Sequence, residues 1–211
     1  PEYNTIDFLV KFKKDEYNKI IINNIYNNGT NLTSSNTLSQ YATLVLQVGF
    51  DEKMHGYINP FNMIIEDTKI SNSEEYKNNY KPMQFYPTNP SDETAGLCNI
   101  CGVYDKTGSF KIYSLENEEI EDNSIVEFKY DTTKEGSFRW IPLRVRYDKT
   151  SELKSGIKNF GNAYHVANGT WHSIHNPISE EVIKTGKNII IDNNDDDIYY
   201  NKITSKTETR S

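Results

Sequence analysis

The sequence predicts a mainly β fold, a small antiparallel barrel or sandwich, with a helical segment in its C-terminal part. Three observations predict it. Short runs dense in β-branched and aromatic residues recur between positions 5 and 147. Turn-forming residues separate them. Beyond position 150 the apolar spacing changes to three and four, the period of a helix. A chain of 211 residues can bury a sizeable core in one domain. Apolar residues make up only 36%, but 15 tyrosines, 9 phenylalanines and 2 tryptophans supply large surfaces for that core, which argues against a wholly disordered chain.

In order along the chain, Thr5–Phe12 (TIDFLVKF) reads as a strand. Residues 13–36 are polar and Asn-rich around Ile20, Ile21, Ile22 and Ile25, and are expected as an insertion or long hairpin. Tyr41–Phe50 (YATLVLQVGF) is the strongest strand. Residues 51–94 carry Pro60, Pro82, Pro87 and Pro90 without a clear period, as a second insertion running over the surface would. Leu97–Tyr104 and Phe110–Leu115 are strands joined through a turn at Asp105-Lys106-Thr107-Gly108. Glu116–Asp122 is a solvated loop. Ile125–Tyr130 alternates as a strand, and Trp140–Tyr147 is another, in which Pro142 marks an edge or a bulge. Ala163, Val166, Ala167, Trp171 and Ile174 share a helical face ended by Asn176-Pro177. Ser179 can cap a short helix through Lys184 before Gly186. Residues 187–211, with Asp195-Asp196-Asp197, read as an acidic linker or tail, so the domain is expected over 1–186.

The formal charge of −7 disfavours a protein that coats nucleic acid by bulk charge, while leaving room for a local basic site. No apolar run approaches the roughly 18 residues of a membrane span, so no membrane partner is expected, and no signal peptide is visible. Two cysteines cannot build a disulfide scaffold, which makes a reducing compartment the default. Abundant Asn and Ile, scarce Ala, and 19 Lys against 4 Arg all follow codons rich in A and T. The sequons at Asn28, Asn31 and Asn168 are what such a composition gives by chance. The first residue is Pro1, so the chain is expected to be a piece of something longer.

Arginine placement is the most informative feature. Of the four arginines, Arg139, Arg144 and Arg146 lie within eight positions. The window from Arg139 to Lys158 sets three Arg and three Lys against Asp148 and Glu152, a net of +4, and leaves −11 for the rest. Guanidinium forks bind phosphate oxygens bidentately, and lysines add point charges beside them. On a strand, Arg144, Arg146 and Asp148 would share one face. The competing reading is a solvated strand face with charges placed by chance.

Arg146-Tyr147-Asp148-Lys149 matches the R-x-D-K pattern that closes covalent nucleotidyltransferases, and the surroundings resemble one branch of them. Pro1-Glu2-Tyr3-Asn4-Thr5-Ile6-Asp7-Phe8, Ile125–Phe128, Trp140–Arg146, Asn168 and Trp171–Ile178 are together similar to the mRNA capping enzymes of large cytoplasmic DNA viruses. In that family this piece is an oligonucleotide/oligosaccharide-binding (OB) barrel that acts as a lid. The resemblance implies an OB-fold antiparallel barrel with long insertions and a C-terminal helical segment. It also implies part of an mRNA guanylyltransferase, with a preceding nucleotidyltransferase domain that carries a K-x-D-G nucleophile. No K-x-D-G occurs here, so the isolated chain is expected to be inactive. The partners implied are GTP with Mg2+ or Mn2+, the 5′-diphosphate end of RNA, and a cap methyltransferase domain that follows. The setting implied is the host cytoplasm (the viral factory) or the virion.

By the resemblance, Arg146 and Lys149 hold the β- and γ-phosphates of GTP and orient pyrophosphate opposite the attacking lysine. Asp148 either contacts the phosphate–metal cluster or fixes the neighbouring cations. Arg144 is either a further substrate-binding phosphate ligand or the structural partner of an acidic neighbour. Arg146 and Lys149 are expected to be exposed and at most loosely paired, because their phosphate partners arrive on another domain. The alternative functions are a single-stranded RNA-binding OB module and a docking module for a partner domain.

The remaining candidates favour structure over chemistry. Cys98-Asn99-Ile100-Cys101 is a lone C-x-x-C, with His165, His172 and His175 as the remote means of completing a zinc set. Two ordinary cysteines are the better reading, and no metal site is assigned. The strand aromatics could stack bases but fit a core better. Trp140 is expected in the core and Trp171 between helix and barrel.

Overall fold

The computed structural model describes residues 4–27, 37–51 and 79–177. The expectations for 28–36, for 52–78, for the Ser179-capped helix and for the acidic tail lie outside the described residues. Residues Pro1–Asn176 form one compact unit.

Strand β1 (Thr5–Phe12) lies at the centre of the main sheet. On one side it pairs with β3 (Thr37–Phe50), Leu9 opposite Gln47. On the other it pairs with β8 (Ile125–Tyr130), Asp7 opposite Glu127. The long β3 serves four neighbours in turn. Its first half pairs with β2 (Ile22–Asn27) on one side and β5 (Leu97–Cys101) on the other, its second half with β1 and with β4 (Lys81–Gln84). Strand β9 (Trp140–Val145) continues from β8. All these ladders are antiparallel. A separate hairpin of β6 (Val103–Tyr104) and β7 (Phe110–Lys111) turns through Asp105–Gly108. There Asp105 Oδ1 accepts from the backbone of Thr107 and Ser109, and Gly108 takes φ +80°. Helices α1 (Tyr147–Lys154) and α2 (Tyr164–His175) follow β9.

The path β5-β3-β1-β8-β9 bends until its ends meet. Between β5 and β9 there is no backbone ladder. The seam is closed by side chains: Cys98 Sγ donates to Trp140 O at 3.2 Å, and Trp140 Nε1 donates to Ala95 O at 2.8 Å. Four antiparallel steps separate β5 from β9, so the two run in the same direction. The result is a partly open five-stranded barrel of the OB-like kind expected, with helices after it.

Alternation fills the barrel. Ile6, Phe8 and Val10 of β1, Leu44, Leu46 and Val48 of β3, and Val126 and Phe128 of β8 all point inward and are fully buried. The Phe8 ring lies 5.1 Å from Trp140, edge-on, and 5.3 Å from Phe85. Trp171 of α2 is fully buried against Tyr130, 4.9 Å away, and its Nε1 donates to Pro90 O. Asn168 fastens the same helix to the 86–90 loop by a two-way amide pair with Thr88. His175 Nδ1 sits 2.9 Å from Trp171 O, a local contact.

The sequence-based boundaries need four corrections. The strand expected through Tyr147 ends at Val145, and Tyr147 opens a helix. The Leu97–Tyr104 run breaks at Gly102, where a Cβ would meet Lys111 O at 2.4 Å. Phe110–Leu115 shortens to two residues. The stretch expected as a surface excursion over 51–94 contains β4, which extends the sheet, whereas the long hairpin expected around 13–36 is present as β2 paired with β3. Pro142 does mark a bulge. Glu127 pairs with Arg144 but Phe128 with Pro142, so Leu143 is extra.

The two cysteines stand three apart on one strand and face opposite ways. Cys98 is buried, and burial pushes its thiol well above the usual range, whereas Cys101 is exposed. A thiol reagent on the native chain is expected to modify Cys101 rapidly and Cys98 only after unfolding. Two equally fast thiols in native buffer would contradict this packing.

Candidate functional site

The R-x-D-K segment is the hinge between a strand and a helix. The Arg146 N–H donates to Ile125 O as the last step alongside β8. One turn later the Thr150 N–H donates to Arg146 O, while the buried Thr150 hydroxyl accepts from Ile125 N at 2.9 Å. The chain therefore reverses over β8, and the side chains of residues 146 and 149 swing back across β1.

Both heads end on one atom. Arg146 Nη1 donates to Asp7 Oδ2 at 2.6 Å, and Lys149 Nζ donates to the same oxygen at 2.7 Å. Asp148 grips the other side of the guanidinium, with Nε at 3.2 Å and Nη2 at 2.9 Å from its two oxygens. The Asp7 side chain is only 8% exposed, against 23% for Arg146, 25% for Lys149 and 61% for Asp148. Three of the five guanidinium N–H groups and one of three on the ammonium are engaged. Among the described residues, four donor hydrogens of these two heads thus have no partner.

A second ionic pair stands on the same outer face. Glu127, opposite Asp7 in the ladder, receives Arg144 Nε at 2.6 Å and the Thr5 hydroxyl at 2.7 Å. Burial works against ionising Glu127, but the Thr5 hydroxyl and the Arg144 guanidinium outweigh it and hold the carboxyl below its usual range. Asp148 is held at about 2, chiefly by its hydrogen bonds from Arg146. A carboxyl depressed in the folded state contributes above its unfolded value and stops contributing as pH falls through its folded one. The Asp148 clamp is therefore complete at neutral pH and released only near pH 2.

Asp7 is itself fixed from behind. Its N–H donates to Asn162 Oδ1 at 2.7 Å, and its carbonyl accepts from Asn162 N at 2.8 Å. Gly161 permits that approach. At φ +81° it lies so close that a Cβ would stand 2.3 Å from Asp7 O.

The structure brings Arg146, Asp148 and Lys149 together and sets Arg144 beside them on Glu127. It corrects the expected loose pairing: both Arg146 and Lys149 are anchored on a nearly buried carboxylate. Asp148 does not continue a strand face but turns back from the first turn of α1. Sequence reasoning missed Asp7 and Glu127. Asp7 stood inside the quoted Thr5-Ile6-Asp7-Phe8 block, yet nothing local told it from any acidic residue on a strand. As for a divalent cation, Asp7 Oδ2 and both Asp148 oxygens already face cationic donors, so these residues do not fit a resident Mg2+ or Mn2+. Among the described residues no group of three His, Cys, Asp or Glu converges elsewhere, and no described helix is long and apolar enough to cross a membrane.

Comparison with known proteins bears on what such a site serves. The family described as "mRNA capping enzyme, C-terminal domain" matches residues 60–184, which include Arg144, Arg146, Asp148 and Lys149. The "Probable mRNA-capping enzyme" of Acanthamoeba polyphaga mimivirus is 30% identical over 188 residues, 88% of this chain. The chain spans 13% of that protein's length. No solved structure matches the chain.

Proposed function

Because the chain belongs to the family of mRNA capping enzyme C-terminal domains, we propose that it is the OB lid of a guanylyltransferase. The lid closes over GTP bound to a preceding nucleotidyltransferase domain. GMP passes to a lysine of that domain, and from there to the 5′-diphosphate end of RNA. The observation that carries this reading is the convergence of Arg146 and Lys149 on one oxygen with four donor hydrogens left over. Asp7 stands where an anion belongs and holds the two cations aimed before any phosphate arrives.

On closure, the unused N–H groups of Arg146 and Lys149 take the β- and γ-phosphates. They orient pyrophosphate opposite the attacking lysine and neutralise the charge that develops as it leaves. Asp148 positions Arg146 by holding its Nε edge, and Arg144 braces the same face through Glu127. Mg2+ or Mn2+ would enter with the nucleotide, shielding its phosphates, and no ligand for it is assigned in this chain. The setting that fits is a viral one in the host cytoplasm, with a cap methyltransferase domain as the partner that follows.

Covalent labelling tests the division of labour. Incubated with radiolabelled GTP and Mg2+, the chain alone is expected to form no covalent GMP adduct, whereas the intact capping polypeptide does. A label on the isolated chain that survives denaturing electrophoresis would refute the lid role.

A further inference from the structure

A second concavity opens beside the Arg146–Lys149 site. It encloses about 490 Å3 over Leu9, Pro82, Leu153 and Phe160, with Lys11, Asn123, Lys154 and Asp122 at its edge. Its position gives it meaning. Leu9 lies two residues beyond Asp7 on the same face of β1, about 7 Å further on. Leu153 lies one helical turn beyond Lys149 on the same face of α1. Lys11 and Lys154 come next in the same direction. The surface thus reads cations, then an apolar hollow, then cations.

The hollow has the chemistry of a nucleoside site. A ring can lie against Leu9, Leu153 and Phe160. The Asn123 side-chain amide, able both to donate and to accept, has no partner among the described residues. Lys11 is exposed, and Lys154 reaches Glu121 only at 3.7 Å, both largely solvated. Of the carboxylates there, Asp122 is already neutralised by Lys14 at 2.8 Å and also accepts from Phe12 N, and Glu121 stands beside Lys154.

We infer that this hollow receives the first nucleoside of the acceptor RNA, its 5′-diphosphate reaching past the Arg146–Lys149 site to the GMP held on the preceding domain and the following phosphates on Lys154 and Lys11. Cations on the far side separate RNA from GTP as the occupant. A strand carries further phosphates beyond its first nucleoside, whereas GTP ends there in hydroxyl groups. The inference rests on the lid reading and names where its acceptor lies.

Two variants of the intact enzyme test it. Leu153→Trp fills the hollow, and Lys154→Glu reverses a charge at an exposed position where folding is not at stake. With enzyme–GMP and 5′-diphosphate RNA, each is expected to raise the KM for RNA about tenfold. RNA carrying 4-thiouridine as its first nucleotide is expected to crosslink to the 151–160 segment. An unchanged KM for RNA, an equal rise in the KM for GTP, or the same crosslink from a thiolated GTP would overturn the inference. If Arg146→Ala leaves GMP loading intact, the lid reading itself is wrong. If loading falls while both pocket variants use RNA normally, only the hollow has been misassigned.

Discussion

Arg146→Ala in the intact enzyme is expected to slow formation of enzyme–GMP by ~10²–10³, and to slow transfer of GMP from preformed enzyme–GMP to RNA by much less. The asymmetry follows from the leaving group. Pyrophosphate is present in the first half-reaction and gone in the second. Each charge-assisted phosphate contact contributes about 1.5–3 kcal/mol to binding, and more where charge develops in the transition state. Arg146→Lys is expected to be nearly as slow, because an ammonium cannot hold Asp148 from two nitrogens and still reach Asp7 and a phosphate. Arg146 also helps neutralise the nearly buried Asp7, so both variants must first be shown to be folded. A role confined to that internal pairing predicts equal losses in the two half-reactions of a folded Arg146→Ala enzyme, and equal losses would remove the leaving-group assignment.

Gly161→Ala is expected to destabilise the chain by about 2–4 kcal/mol, lowering the melting temperature by roughly 5–15 °C. Two effects add. The residue sits at φ +81°, where an L side chain is strained. The new Cβ would also stand 2.3 Å from Asp7 O, 2.9 Å from Asp7 C and 3.3 Å from Leu9 N, all backbone atoms that cannot rotate aside. Gly108 is the control, since at φ +80° it has nothing within 4 Å of the added carbon. Gly108→Ala should therefore show the conformational part alone, about 1–2 kcal/mol. Equal melting shifts for the two variants would mean that the contact with β1 carries no weight.

What the sequence disclosed and what it hid divide on physical lines. Phe8, Leu44, Leu46, Val126 and Trp140 announce their strands because alternation is a local pattern that burial enforces. Ala167 and Trp171 announce α2 for the same reason at helical spacing. Helix α1 gave no such sign. It buries only Thr150, and its charged residues fit a strand face as well as a helix. The R-x-D-K residues were legible as a motif. Asp7, on whose Oδ2 two of them meet, was not, because its pairing is wholly tertiary and no period or spacing encodes it.

The same distance has a consequence for how the protein comes into being. Asp7 meets Arg146, Lys149 and Asn162 across 139, 142 and 155 positions of chain. At about 5–20 residues per second, a ribosome delivers those partners on the order of ten seconds after Asp7 emerges. Closing loops of that length is slow in any case. The Asp7–Arg146–Lys149 cluster is thus among the last parts of the unit to assemble, and a chain stalled before Asn162 holds β1 without its clamp. A completed cluster becomes a certificate that the whole barrel has been made.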